Sequence, residues 1–281
     1  MSIHRRLLFS AYKLVKKTGY LSERSASSPC ASILMFHRVN DYGPDSLSMR
    51  VDVFDEMLRV LKDEYRVVPL SSLTDSIEGK RKIEAGSVVI TFDDGYRDNF
   101  LYAAPLLRKY QLPATFFVTS GYIGTDRVFP WDARSAVKFQ LMNWEEVREL
   151  NRSGFEIGGH TANHVNLGVV PVDEAMREIV GCKEKIEEQL GKRIAAFAYP
   201  FGRSDCIRDE ILPIIREAGF RCCCSGYGGK VTGENELFNL YRIPVYPTTI
   251  ELLMEIDNFM TYFDGKMRIN ITGRNRGECH G

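Results

Sequence analysis

The sequence predicts an α/β fold with a mainly parallel sheet, arranged either as a barrel or as a doubly wound sheet. Short β-like runs alternate with amphipathic helical stretches along most of the chain, which is the pattern of βα units. The 281 residues are 44% hydrophobic, which is enough for a full core. Since α/β barrels of this size are routinely single domains, the length does not require two.

Eight runs have the length and composition of strands. They are residues 32–39, 67–69, 88–92, 115–118, 155–159, 195–199, 221–224 and 242–245. Helix-period stretches separate them, so the parallel connections have their crossovers.

Two of those stretches have a clear apolar face, and a third has a start signal. The faces comprise Phe54, Met57, Leu58 and Leu61, and then Met176, Ile179, Val180, Lys183 and Ile186. The lysine is the exception in the second face. Asn143 and Glu146 have the spacing of a capping box that opens a helix, and Phe259, Met260 and Phe263 fit a last helix on the core.

The predicted organisation has a basic amphipathic segment and linker at residues 1–28, a main domain at 29–265 and a polar basic tail at 266–281. In the first segment Leu7, Leu8, Tyr12 and Val15 interleave with lysines and arginines. Such a segment lies on an anionic membrane, docks on the core or stays a solvated helix. Its longest uncharged stretch, residues 7–12, is too short for a signal peptide or a membrane span, so we expect a cytoplasmic location.

Charge and cysteine content exclude several classes of function. The 37 basic and 37 acidic residues balance, so nothing indicates nucleic acid or another polyanion as a partner. The seven cysteines are odd in number and form no CxxC, which favours neither a disulfide framework nor a zinc-thiolate site. We interpret the run Cys222, Cys223 and Cys224 as small buried strand residues.

Chemistry-bearing residues follow four of the predicted strands. They are His37, the pair Asp93 and Asp94, the pair His160 and His164, and the turn Pro200, Phe201 and Gly202. Each has an ordinary explanation when taken alone: a helix cap, a loop histidine or a simple turn. In a parallel barrel, however, all carboxyl ends of the strands lie on one face, where active sites occur. Together these residues therefore predict one site.

A carboxylate with two imidazoles is an open three-ligand set of the kind that catalytic zinc uses. A metal would also explain the adjacent acids. One of them would ligate it, while the other would stay ionised nearby and accept a proton from water. Cobalt, nickel or iron would suit the same ligands, so the set does not fix the metal.

Three stretches at these positions resemble the first three motifs of the polysaccharide deacetylases, carbohydrate esterase family 4. They are TFDDGY at 91–96, HTANH at 160–164 and AYPFG at 198–202. The resemblance covers about residues 32–250. It implies a distorted (β/α) barrel with mainly parallel strands, and hydrolytic removal of N-acetyl groups from a sugar with one divalent metal, by preference zinc.

The same resemblance implies a role for each matching residue. Asp93 corresponds to the general base, and the backbone N–H of Phe201 to a donor for the oxyanion. Pro200 and Gly202 belong to the turn that binds or orients the substrate. The implied metal ligands are Asp94, His160 and His164.

The match departs from the family pattern in two places. The third motif often has an arginine where this chain has Ala198, and the late Leu-x-His motif that supplies the general acid is absent. ILMFHRV at 33–39 is similar to a permuted branch seen in poly-N-acetylglucosamine deacetylases, which implies His37 as the acid. Arg242 or Arg38 would replace the arginine and orient Asp93, unless each is merely structural.

The predicted substrate is therefore an N-acetylated glycan or glycolipid, and a glycan precursor fits a cytoplasmic enzyme. Two alternatives remain open: an esterase acting on O-acetyl groups, and a sugar-binding pseudoenzyme. An intact set of base, ligands and acid disfavours the second. We also expect a neighbouring carboxylate to raise the pKa of His37.

Overall fold

The structure is a computed structural model that describes residues 3–19, 29–43, 45–246 and 248–259, with side chains from residue 7 onward. The linker predicted before residue 29 and the tail predicted at 266–281 lie outside these ranges. So do Met260 and Phe263 of the predicted last helix.

Strands account for most of the sequence-predicted runs, with shifted ends. They are β1 (Cys30–Phe36), β2 (Arg38–Val39), β3 (Ser48–Met49), β4 (Arg66–Val67), β5 (Ser87–Phe92), β6 (Thr115–Val118), β7 (Glu156–Gly159), β8 (Ala196–Ala198), β9 (Cys222–Cys224), β10 (Lys230–Thr232) and β11 (Ile243–Pro244). Neither β3 nor β10 was predicted, because each is only two or three residues long and, unlike the equally short β4, β9 and β11, does not lie in an apolar run of the sequence.

Helices cover the outside of the sheet. They are α1 (Ile3–Lys17), α2 (Val51–Glu64), α3 (Leu70–Ile77), α4 (Ala104–Tyr110), α5 (Trp144–Arg152), α6 (Val172–Leu190), α7 (Leu212–Glu217) and α8 (Thr249–Ile256), with a π-helical turn at Asn99–Ala103 before α4. The predicted capping box is present: Asn143 accepts from Glu146 N–H at 2.9 Å, and Glu146 accepts from Asn143 N–H at 2.9 Å.

One curled, mostly parallel sheet forms the centre of the fold. Its main path runs β10-β1-β5-β6-β7-β8-β9, and only the β10–β1 pair is antiparallel among the pairs described. Two strands pair with different halves of β5. β4 pairs with the first two residues of β5, and β6 pairs with the last two residues of β5. Beyond β9, Cys224 bridges to Leu240, and β11 then returns to pair with β1, so the sheet curls toward closure. This is the expected distorted barrel.

Register places the candidate residues at one level. β1 and β5 pair in parallel with Phe36 opposite Phe92, so His37 and Asp93 leave their strands side by side. The rings of Phe36, Phe92 and Phe116 stack beneath them, with centroids 5.2 and 4.8 Å apart. Phe36 and Phe92, the last residues of β1 and β5, thus stack with Phe116 of β6 in the buried core.

The predicted helix faces are mostly confirmed. Phe54, Met57, Leu58 and Leu61 of α2 are all buried. On α6, Ile179 and Ile186 are buried, but Met176 is 49% exposed, so the predicted face extends too far toward the amino end. Buried Lys183 fits the core because its ammonium group donates to Glu187 and to the Ile194 carbonyl.

The amino-terminal helix docks on the fold through Tyr12. This side chain is 2% exposed, packs edge-on against Phe259 at 5.2 Å and donates to Asp257 at 2.7 Å. Lys16 adds an ion pair of 2.8 Å to Glu64. The apolar face predicted from the sequence is therefore split: Leu8, Tyr12 and Val15 pack inward, while Leu7 is 64% exposed. None of the helices within the described ranges combines the length and hydrophobicity needed to cross a bilayer.

Candidate metal and catalytic site

The two adjacent acids separate because the chain turns sharply after β5. Asp93 continues the strand, and its N–H donates to the Phe36 carbonyl at 2.9 Å. Asp94 then takes a left-handed conformation with φ 74°, followed by Gly95 with φ 85°. Side chains of L residues rarely adopt the φ of Gly95, so this turn favours glycine. The turn gives the two carboxylates different partners.

Asp94 meets two histidines. Its Oδ1 lies 3.4 Å from His160 Nε2 and 3.2 Å from His164 Nε2. The three candidate ligand atoms all lie within 4.8 Å of one another. His164 has φ 55°, so two of the three candidate ligands occupy the left-handed region. Such strained residues concentrate at functional sites.

The hydrogen bonds of this cluster fit a bound cation. His160 Nδ1 lies 2.8 Å from the Ala198 carbonyl, which can only accept, so Nδ1 carries the proton and a neutral ring presents its Nε2 lone pair to Asp94. A second bond of this kind typically orients a metal-ligating histidine. Asp94 Oδ1 is buried and has no hydrogen-bond partner within the part of the chain that the structure describes. A lone pair facing a carboxylate oxygen needs a positive charge between them.

The pKa shifts of Asp94 and His160 also fit a bound cation. Burial raises the pKa of Asp94, but the nearby His160 and His164 side chains outweigh it and hold that pKa well below its usual range. Burial lowers the pKa of His160, yet the Asp93 and Asp94 carboxylates outweigh it and raise that pKa. The site thus favours ionised acids and an added positive charge, which either a proton or a metal would supply.

Asp93 has a different partner. Arg242 donates to both of its carboxylate oxygens, each at 2.7 Å, and the two side chains are only 2% and 1% exposed. Arg242 also donates through Nε to the Ser225 carbonyl at 2.6 Å. Burial raises the pKa of Asp93, but the Arg242 guanidinium outweighs it, so the pKa lies below its usual range. Of the two arginines predicted to orient Asp93, the geometry places Arg242 in contact.

Arg38 points into a separate network. It pairs with Asp132 at 2.6 Å and with Asp45 at 2.9 Å, and its guanidinium lies 3.7 Å from the centroid of the Phe139 ring. The contact with Asp93 that was predicted for either arginine is therefore made by Arg242.

His37 lies at the rim of the same cavity, partly exposed. Its backbone carbonyl accepts a 2.9 Å hydrogen bond from Asn99, which fixes the chain at the end of β1. Burial lowers the pKa of His37 more than the Asp94 and Asp93 carboxylates raise it. The neighbouring carboxylates thus act in the expected direction, but desolvation outweighs them, so the pKa of His37 is lowered overall and the expected net increase is wrong.

The predicted turn after β8 contains two residues with left-handed backbone conformations. Phe201 has φ 63° and Gly202 φ 62°, and a Cβ at Gly202 would lie 2.3 Å from the Gly226 nitrogen. Gly202 thus permits close packing of the turn on a neighbouring loop. Pro200 is buried, whereas the Phe201 ring is 51% exposed and contacts His164 edge-on at 4.8 Å.

These groups share one cavity of about 330 Å³. It is lined by Met35, His37, Leu47, Asp93, Asp94, Trp131, His160, His164, Tyr199, Phe201 and Arg242. Sequence reasoning missed Trp131. The available signal was the connection between β6 and α5, residues 119–143, which is far longer than most such loops and rich in aromatic residues.

Comparisons with known proteins agree with this geometry. Residues 80–223 match the sequence model of the polysaccharide deacetylases. A putative polysaccharide deacetylase of Bacillus subtilis, YxkH, is 26% identical over 227 residues, covering 80% of this chain and 74% of that protein. A poly-beta-1,6-N-acetyl-D-glucosamine N-deacetylase of Staphylococcus aureus is 28% identical over 185 residues, covering 63% of this chain and 60% of that protein.

A solved structure is similar over most of the described fold. The deacetylase PplD of Streptococcus pyogenes, in complex with acetate, superposes with a TM-score of 0.70 at 26% identity. The superposition covers 81% of this chain and 98% of that one. The curled, mostly parallel sheet is thus a known fold.

Proposed function

Because the chain belongs to the polysaccharide deacetylase family, we propose that it hydrolyses the N-acetyl groups of an N-acetylated sugar in a polysaccharide or glycan precursor. One observation carries the proposal: Asp94, His160 and His164 converge beside Asp93, which Arg242 keeps ionised, in one cavity. The names of the relatives support N-acetylglucosamine polymers as the substrate class.

Asp94, His160 and His164 would hold one divalent metal, and zinc suits this set best, with cobalt, nickel and iron as the other options. Such an ion would polarise the acetyl carbonyl and make a neighbouring water more acidic. The domain assignment, with residues 29–265 catalytic, and the cytoplasmic location predicted from the sequence remain parts of the proposal.

The side chains divide the proton transfers. Asp93 accepts a proton from the attacking water, and Arg242 holds its carboxylate in position for that. His37 lies on the adjacent strand end and donates a proton to the departing sugar amine. The Phe201 N–H would bind the oxyanion, a contribution of about 3 kcal/mol for one such donor. The turn that contains Pro200 and Gly202 would bind or orient the substrate.

A product assay tests the function. Metal-loaded protein is incubated with β-1,6-linked N-acetylglucosamine oligomers and, separately, with O-acetylated sugars, and free amine, free hydroxyl and acetate are measured. We expect acetate and amine in equal amounts, loss on chelation and return on adding one equivalent of zinc. Release from the O-acetylated sugars alone would identify an esterase instead. No release from either, with metal bound, would support the sugar-binding alternative.

The membrane contact predicted for the amino-terminal segment needs a separate test. Docked α1 turns Leu7 (64% exposed), Leu14 (68% exposed), Lys13 and Lys17 outward, which suits an anionic surface. We expect salt-sensitive binding to phosphatidylserine vesicles that weakens in a Leu7→Ser, Leu14→Ser double variant. Equal binding by that variant would remove α1 as the anchor.

A further inference from the structure

Trp131 is held more firmly than an exposed aromatic residue requires. It keeps 38% of its surface exposed, yet its indole N–H donates to the Tyr96 hydroxyl at 2.9 Å. That hydroxyl donates to Asp132 at 2.6 Å, and Asp132 pairs with Arg38 at 2.6 Å. Tyr96, Asp132 and Arg38 are all buried. A single exposed aromatic residue needs no explanation, but one fixed by a buried polar chain does.

The indole presents one face to the cavity. Phe129 stacks on the other face with centroids 4.6 Å apart and planes 7° apart. Tyr122 continues the stack at 4.2 Å, and the Arg127 guanidinium lies 3.9 Å from the Tyr122 ring. Since Phe129 covers one face, the exposed area of Trp131 lies on the opposite face and at the rim.

That open face belongs to the catalytic cavity. Trp131 lines it together with Asp93 and His37. Its ring is 4.8 Å from His164 and 6.4 Å from Phe201, edge-on in each case. A ligand over the indole is therefore next to the candidate metal ligands.

An ion pair between the residues that follow His37 and Trp131 connects the indole with the candidate acid. Arg38 directly follows His37, and Asp132 directly follows Trp131. The buried Arg38–Asp132 ion pair, with side chains 3% and 4% exposed, therefore joins the start of β2 to the long loop after β6. It fixes the separation between the proton donor and the aromatic face.

We propose that Trp131 is a carbohydrate-stacking residue whose open face receives the C–H face of a pyranose ring of the substrate, while Arg38, Asp132 and Tyr96 position it relative to His37. The C–H bonds of a pyranose are weakly positive and the face of an indole is negative, so the two attract as they lose water. This inference rests on the proposed function for the identity of the sugar.

Binding is tested apart from catalysis. The background is metal-loaded Asp93→Asn protein, and the probe is the trimer of β-1,6-linked N-acetylglucosamine, titrated by calorimetry. We expect Trp131→Ala to weaken binding by about tenfold or more and Trp131→Phe to recover most of it. Trp144→Phe, which changes the only other tryptophan, is the matched control and should bind within about twofold of the background.

Two further readouts separate stacking from support of the fold. In the Trp144→Phe background, sugar binding should shift Trp131 fluorescence to shorter wavelength, because the ring covers an exposed indole. In active protein, Trp131→Ala should reduce kcat/KM for the trimer at least tenfold more than for an aryl acetate, which has no pyranose. Tyr96→Phe should raise KM for the trimer more than it lowers kcat.

The outcomes are distinguishable. Trimer binding that Trp131→Ala leaves unchanged, no binding of the trimer at all, or equal losses on trimer and aryl acetate would overturn the stacking role. Binding that depends on Trp131, combined with no acetate release by metal-loaded protein that keeps Asp93, would instead retain the stacking role and reject the deacetylase function.

Discussion

Arg242 holds Asp93 by two hydrogen bonds of 2.7 Å each, although the two residues are 149 positions apart in the chain. The arginine lies just before β11, the strand that pairs with β1. We propose that it replaces the arginine that the related motif often has at the position of Ala198. The same buried pair keeps Asp93 ionised despite desolvation.

Replacing Arg242 should affect both stability and pH dependence. Arg242→Met leaves a buried carboxylate without its partner, which costs about 3–5 kcal/mol of unfolding free energy. Burial would then raise the Asp93 pKa, so the low-pH limb of the rate profile should move upward. Urea unfolding and a pH–rate series measure these effects. Arg242→Lys keeps the positive charge but not both hydrogen bonds, so its unfolding free energy and low-pH limb should lie between those of the unmodified protein and Arg242→Met. A low-pH limb that does not move in Arg242→Met would contradict the role of the Arg242–Asp93 pair.

His37→Ala should lose most turnover while keeping its metal, because His37 is outside the ligand set. The loss should be on the order of 10²-fold or more for an amide, whose amine leaves poorly without a proton. An aryl acetate needs little protonation and should suffer far less. Comparing kcat on the two substrates is the measurement. Equal losses would assign His37 a positioning role.

The pH profile should be bell-shaped and displaced toward acid. The pKa of Asp93 is lowered, so the base stays ionised until the pH falls below the usual carboxyl range. The pKa of His37 is lowered too, so the acid loses its proton, and the rate falls, below the ordinary histidine value. Measured kcat/KM reports these groups in the free enzyme. A high-pH limb above the ordinary histidine range, or one that survives in His37→Ala, would refute this assignment.

Docking of α1 should contribute to stability. Tyr12→Ala removes a buried ring and its hydrogen bond to Asp257, with an expected loss of about 3–5 kcal/mol in unfolding free energy. Leu14→Ala on the exposed side of the same helix should change it by less than about 0.5 kcal/mol. Equal effects in thermal or urea unfolding would show that α1 does not dock through Tyr12.

Sequence reasoning predicts the parts of this molecule that depend on local pattern. The run 88–92 identifies β5, the helix face from Phe54 to Leu61 identifies the buried side of α2, and the Asn143 spacing identifies the start of α5. The convergence of the candidate ligands follows because parallel strands place their carboxyl ends on one face.

Features that depend on distant contacts could not be predicted in the same way. Arg242 and Arg38 were equivalent candidates in the sequence, and only the curl of the sheet places Arg242 beside Asp93. Charge proximity suggested a raised pKa for His37, but the extent of its burial is a property of the whole fold. Trp131 lies in a loop without periodicity, so no pattern connects it to the cavity.

The central claim is that two adjacent aspartates perform different tasks, Asp94 as metal ligand and Asp93 as base. The most direct test measures metal content and acetate release together in Asp93→Asn and Asp94→Asn, two isosteric changes one residue apart. Asp93→Asn should keep about one metal per chain and lose about 10²-fold or more in rate. Asp94→Asn should lose both metal and rate. Full metal content in both variants, or near-normal turnover in Asp93→Asn, would contradict the account.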